Sequence, residues 1–258
     1  MPDAQMSKVL PGAEAWSTDG AGPTSPGALC IHGFTGNPTS MRPVAEAFAA
    51  AGFAVELPRL PGHGTTVEDM LTTSWEDWSR EAEAAYQRIA ARASKVVVAG
   101  LSMGGTLTVW LATRHPEIAG IVAINAAVAP QQPEVVEMLK GMVDEGQTVM
   151  PGIGSDIAKP GVVESAYEGT PLAPLLSLVT VVEELGTSLA NITCPVLIMT
   201  SPQDHVVDPT ASDLLAETVS GPVERVTLER SYHVATVDYD AELIQEKAVE
   251  FGRKVTAG

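Results

Sequence analysis

Six short runs of apolar residues constrain this chain most. They lie at 28–31, 53–57, 96–99, 118–124, 195–200 and 223–228. Several read as unbroken Val, Ile, Ala and Leu, with no polar residue at alternate positions. A strand half exposed to water alternates, whereas one buried on both faces does not, so these runs fit a parallel sheet covered by helices. Helical patterns separate them, at 40–51, 75–93, 103–114, 209–219 and 241–254. Gly52 stops the first pattern, Pro116 follows the third, and Asp208-Pro209 offers the fourth an N-cap and a favoured first residue. Strand–helix alternation of this kind predicts an α/β fold: an open, mostly parallel sheet with right-handed crossovers.

The rhythm breaks between Ala129 and Ile192, where no strand is evident. A helical stretch near 133–143 leads into a glycine- and proline-rich passage. Leu175, Leu178, Val179, Val182, Leu185 and Leu189 then fall on one helical face. The expected organisation is a core of 1–128 and 193–258, with a small helical cap of 129–192 inserted beyond a strand's C-terminal end, as a lid over a ligand crevice.

A chain of 258 residues is within reach of a single core. Its net charge of −17 disfavours nucleic acid and anionic membrane as partners, since both need a basic face. Two cysteines, Cys30 and Cys194, cannot make a disulfide framework. They read as buried thiols suited to a reducing, cytoplasmic compartment. No basic-then-apolar leader opens the sequence. The uncharged stretch 96–113 is interrupted by Gly100, Ser102, Gly104 and Gly105, so it reads as strand, turn and helix rather than a membrane span.

That stretch also carries the chemistry. Gly100-Leu101-Ser102-Met103-Gly104 follows an apolar run and opens a helical one, the setting that pushes a serine hydroxyl out at the top of a sheet. A hydroxyl needs a base, and the base needs an orienting acid. Of five histidines, His115 sits at a helix end as a capping group, and His63 lies in a Pro-Gly-His-Gly turn that it braces. His32 precedes a glycine at a strand end, and His205 follows an acid. His233 follows the last strand run, in a loop that returns to the crevice, and is the expected base. Asp204, just past a strand end, is the expected acid; Asp208 is better explained as a helix cap. The order Ser102, Asp204, His233 is the one that accompanies a nucleophile elbow. Oxyanion donors are expected at the N–H groups of Met103 and of Phe34, in His32-Gly33-Phe34-Thr35-Gly36. The pattern contains no metal-ligand motif and no dinucleotide fingerprint, so neither metal nor cofactor is expected.

These residues resemble the α/β-hydrolase superfamily, and more narrowly the bacterial monoacylglycerol lipases and carboxylesterases. HGFTG (32–36), GLSMGG (100–105) and SYHVAT (231–236) carry the likeness, with PGHG (61–64), INAAV (124–128), IGSD (153–156) and DHVV (204–207) in support. The resemblance implies an eight-stranded sheet, a small mobile cap and cofactor-free hydrolysis of a small-molecule ester through an acyl-serine. It also implies substrate contacts at Ile153 and Glu164. Residues 131–151 depart from the family pattern, which leaves the acyl group open. A monoester with an acidic or aromatic acyl part, such as a monoalkyl phthalate, would need a cation near Ser102, and Arg42 or Arg59 is the candidate. A non-catalytic ligand-binding protein is the remaining alternative. Either a monomer or a homodimer fits.

Overall fold

The computed structural model describes residues 7–152 and 154–257. Strands are β1 (Trp16–Thr18), β2 (Gly27–Ile31), β3 (Ala54–Leu57), β4 (Val96–Leu101), β5 (Gly120–Ile124), β6 (Val149–Pro151), β7 (Gly169–Pro171), β8 (Val196–Thr200) and β9 (Val223–Thr227). Helices are α1 (Arg42–Ala50), α2 (Val67–Met70), α3 (Trp75–Ala90), α4 (Met103–Ala112), α5 (Pro133–Asp144), α6 (Leu172–Gly186), α7 (Thr210–Thr218) and α8 (Ala241–Thr256). The main sheet has the order β1-β3-β2-β4-β5-β8-β9, parallel throughout except for antiparallel β1.

All six apolar runs are strands of that sheet. The reason shows in β4. Val96 and Val98 enter the core under α3, α4 and α6, while Val97, Ala99 and Leu101 enter the core under α1 and α8. Both faces are covered, so both sets of side chains are apolar.

Two expectations are corrected. Among the described residues the main sheet has seven strands, not eight: the chain ahead of β1 turns at Pro11-Gly12, with Gly12 at φ 81. The excursion 129–192 does contain strands, β6 and β7, paired as a short antiparallel ribbon. Each is only three residues long, β6 largely exposed and β7 half-buried, and neither has an apolar run to betray it.

Strand order places the crevice. From β2 the sheet runs to β3 on one side, and from β4 it runs to β5 on the other. The loops after β2 and β4 therefore diverge, and a crevice opens between them at the strands' C-terminal ends. Ser102 stands at that point.

The turn that carries it tolerates no side chain at two positions. A Cβ on Gly104 would lie 2.0 Å from the Ile31 carbonyl oxygen, and one on Gly100 would lie 2.1 Å from the Gly104 carbonyl oxygen. Backbone blocks both, so neither contact can be relieved by a rotamer change. Gly104→Ala is expected to cost about 3 kcal/mol or more of stability, measured by urea unfolding. A variant within about 0.5 kcal/mol of wild type would refute the steric account.

Candidate active site

Ser102 adopts φ 55, ψ −120, a region that non-glycine residues rarely occupy. Its backbone is held there from both sides. The Ser102 N–H donates to the Ile124 carbonyl at 3.0 Å, and the Ser102 carbonyl accepts from Thr106 N–H at 3.1 Å. α4 begins at the next residue, so the Met103 N–H is a first-turn donor with no intrahelical acceptor. Met103 itself is fully buried.

The structure brings Asp204 and His233 together. The His233 Nδ1 lies 2.7 Å from Asp204 Oδ2, with side chains only 8% and 2% exposed. The other Asp204 oxygen accepts the N–H groups of Val206 and Val207, each at 2.8 Å. An ionised carboxylate that accepts three hydrogen bonds is satisfied though buried. With Nδ1 engaged, His233 is left its Nε2 for work in the cavity it shares with Ser102.

That cavity holds about 360 Å³. Phe34 and Thr35 form its wall beside Ser102. Gly33 brings them close: a Cβ there would be 3.3 Å from Ser102 Cβ. The Phe34 ring packs edge-on against Trp78, with centroids 5.7 Å apart, so its side chain is part of the wall. A second hollow of about 450 Å³ is lined by Trp75, Trp110, Arg114 and Leu185, and by neither Ser102 nor His233.

A family model described as serine aminopeptidase, S33, matches residues 27–240, a span that includes Ser102, Asp204 and His233. The chain belongs to this family. Within the S33 family it is 47% identical, over 97% of its own length and 98% of the relative's, to the thermostable monoacylglycerol lipase of Bacillus sp. (strain H-257). It is 25% identical over 88% of its length to a carboxylesterase of Bacillus subtilis (strain 168), covering 92% of that protein. A solved structure from work on the metagenome-derived lipolytic enzymes LipS and LipT superposes with a TM-score of 0.90. It is 43% identical, and the match covers 96% of this chain and all of the other. The fold is the α/β-hydrolase fold.

The other histidines of this S33 member are accounted for. His32 and His63 are fully buried, 5.0 Å apart edge to face. Burial holds both imidazoles below their ordinary value, His63 at about 4. Each braces backbone: Leu60 N–H donates to His32 Nε2, and His63 Nδ1 meets the Pro61 carbonyl. His115 is not the cap expected of it; its ring lies between Glu83 and Glu117 and against Tyr86. His205 pairs with Asp156 at 2.8 Å. Asp208 accepts the Thr210 N–H at 2.9 Å just ahead of α7, whose N-cap position is Pro209 rather than Asp208. Arg42 and Arg59 are not cations of the site. Arg42 sits over the Trp16 ring, and Arg59 donates to the His63 carbonyl.

Of the two substrate contacts implied by resemblance, Ile153 lies outside the described residues. Glu164 does line the cavity. Burial pushes its carboxyl from the ordinary 4.5 up to about 7, against the opposing pull of His233. Sequence reasoning missed Asn125, Asp156 and Tyr167. Asn125 sits at φ 43 beyond β5 and donates to the His233 carbonyl at 2.8 Å. Tyr167 spans from the excursion to the core, donating to the Gly62 carbonyl and accepting the Thr65 N–H. Asn125 left a faint signal, since asparagine ending an apolar run suits a left-handed turn.

Glu164 gives a signed pH prediction. Between about 4.5 and 7 the folded chain holds its proton while the unfolded chain releases it, so this group's contribution to stability is complete below 4.5 and is lost as pH rises through 7. Glu164→Gln cannot ionise. Its melting temperature should gain on wild type as pH rises over that window and hold a constant lead above it. Melting curves that stay parallel from about pH 5 to pH 8 would refute the burial of this carboxyl.

Proposed function

We propose that this protein is a serine hydrolase that cleaves small carboxylic monoesters, monoacylglycerols foremost, through an acyl-serine intermediate. The reading rests on one observation: Ser102 and His233 share a single, mostly apolar cavity, and Asp204 occupies the imidazole's other nitrogen. The relationship to a monoacylglycerol lipase over nearly the full chain supports the substrate class.

In the proposed mechanism the ester carbonyl lies against Ser102. His233 Nε2 takes the hydroxyl proton as Oγ attacks the carbonyl carbon. The carbonyl π pair moves onto oxygen, and the N–H groups of Phe34 and Met103 hold that oxyanion, each worth about 3 kcal/mol in the transition state. The intermediate collapses, the C–O bond to the alcohol breaks, and His233 returns its proton to the leaving oxygen. Water then enters, His233 deprotonates it, and the acyl-enzyme opens to acid and free Ser102. Asp204 stays ionised throughout and keeps the imidazole in the tautomer that has Nε2 free.

The cavity supports an uncharged substrate. Leu175, Leu178, Val179 and Val182 of α6 line it with Met138 and Leu139 of α5, a surface for an acyl chain. Glu164 stands at the polar side, where a carboxyl that holds a proton near neutral pH can both donate to and accept from an alcohol's hydroxyls. Among the described residues, no lysine or arginine lines the cavity. An anionic acyl part, as in a monoalkyl phthalate, finds no counter-charge there. The segment 129–192 acts as a cap in this reading, since it supplies most of the acyl wall. The buried free thiols of Cys30 and Cys194 suit a reducing compartment.

Ser102→Ala should fold normally and lose at least about 10³-fold in kcat on a medium-chain monoglyceride. Retained turnover would reject the serine. In the same assay, kcat/KM should rank the monoglyceride above a monoalkyl phthalate, an aminoacyl anilide and a triglyceride. A phthalate or anilide at the top would overturn the substrate class while leaving the mechanism standing.

A further inference from the structure

Asp156 belongs to the excursion between β5 and β8, yet its hydrogen bonds go to the two loops that carry Asp204 and His233. Its Oδ2 accepts the N–H of His233 at 3.0 Å and the N–H of His205 at 3.1 Å. Its Oδ1 pairs with His205 Nδ1 at 2.8 Å. Its backbone carbonyl accepts the Val234 N–H at 3.1 Å. The Asp156 side chain is 10% exposed and His205 58%, so the bond to the His233 N–H is the more sheltered of the set.

We infer that Asp156 is a positioning residue for the proposed reaction: a single carboxylate oxygen sets the base loop against the acid loop by binding one backbone N–H from each. The inference rests on the reading of Asp204 and His233 given above. His205 directly follows Asp204, so Asp156 fixes the main chain at the acid just as it does at the base. The His233 peptide is clamped on both sides. Asp156 holds its N–H, and Asn125 holds its C=O while also accepting the Ser201 N–H at 2.8 Å. The imidazole can then turn only about its own χ angles, and Asp204 fixes those through Nδ1.

The neighbouring chain is tied down as well. Asp238 accepts the N–H groups of Ala158 and Lys159 at 2.7 and 2.9 Å, and that of Tyr232 at 3.0 Å. On the far side of the site, Thr35 O accepts the Tyr167 N–H at 3.2 Å, and Asn37 donates to Ser165. The stretch 154–167 is therefore a strap from the base loop to the Phe34 loop. It is not free to swing as a lid without dragging His233 along.

The test compares three variants by kcat per active site, with sites counted by fluorophosphonate labelling. Asp156→Ala should lose about 10- to 100-fold in kcat with KM little changed, and label correspondingly more slowly. Asp156→Asn keeps an oxygen for the two N–H groups and an amide for His205, so it should recover most of that loss. Asp156→Glu keeps the charge but displaces the oxygens by one methylene, and should fall about fivefold or more. It also decides the matter if Asp156→Ala does not fold. A Glu or Ala variant that turns over at the wild-type kcat, whatever its melting temperature, overturns the inference. So does an Asn variant as poor as Ala, which would make charge rather than hydrogen-bond acceptance the active property. These outcomes are separable from failure of the underlying reading. Activity in Ser102→Ala rejects the site itself, whereas an inactive Ser102→Ala beside a fully active Asp156→Ala rejects only the role of Asp156.

Discussion

The architecture depends on how closely two pieces of backbone approach at the strand ends. α4 descends so near to β2 that the Ile31 carbonyl occupies the space a side chain at residue 104 would need. That contact lets the chain reverse from β4 into α4 within one residue, with Ser102 in a left-handed conformation at its apex. A strained residue persists only where its surroundings over-determine it. Here the Ile124 carbonyl, the Thr106 N–H and the first turn of α4 do so. The two proposed oxyanion donors follow from the same geometry. One is the first helical N–H after the turn, and the other lies on the loop that Gly33 presses against it.

Buried carboxylates govern the rest of the site, and they work by different means. Asp204 is dehydrated but saturated with N–H donors, as an ionised group must be. Asp156 and Asp238 are saturated too, mostly by main-chain N–H groups from distant loops, so each converts its desolvation into fixed loop geometry. Among the described residues Glu164 has no such donor set, and burial moves its carboxyl toward the neutral form. A row of acids that composition alone would assign to solubility thus separates into anchors, a partner of the His233 imidazole and a protonatable group that lines the cavity.

How much of this could be read from the sequence follows from the range of each interaction. The parallel strands were legible because burial on both faces leaves an unbroken apolar run in β2, β4, β5 and β8. β1, β6 and β7 were not, since each is a three-residue strand with no such run. Ser102, Asp204 and His233 each follow a strand end, so topology alone brings them to one rim. Asp156 and Tyr167 have no local signature. An aspartate in a glycine-rich passage reads as solvated, and only the fold shows that the N–H groups it accepts lie 49 and 77 positions away. The eighth strand failed for the opposite reason: it came from resemblance rather than from any apolar run in this chain.

The strap also changes what a cap can mean here. Residues 154–167 are bonded to the base loop at one end and to the Phe34 loop at the other. By contrast, α5 rests chiefly on α6, over a small apolar cluster of Leu139, Leu172 and Val179 separate from both faces of the main sheet. Met138, on α5, lines the cavity while 54% exposed. Local opening takes least free energy where few buried contacts must break. Any widening of the entrance for an acyl chain therefore belongs to α5 and the β6 ribbon. The polar side of the cavity, with Glu164 and the strap, stays registered on the loops of Asp204 and His233. Such a division would let the acyl wall change without disturbing the alignment of His233.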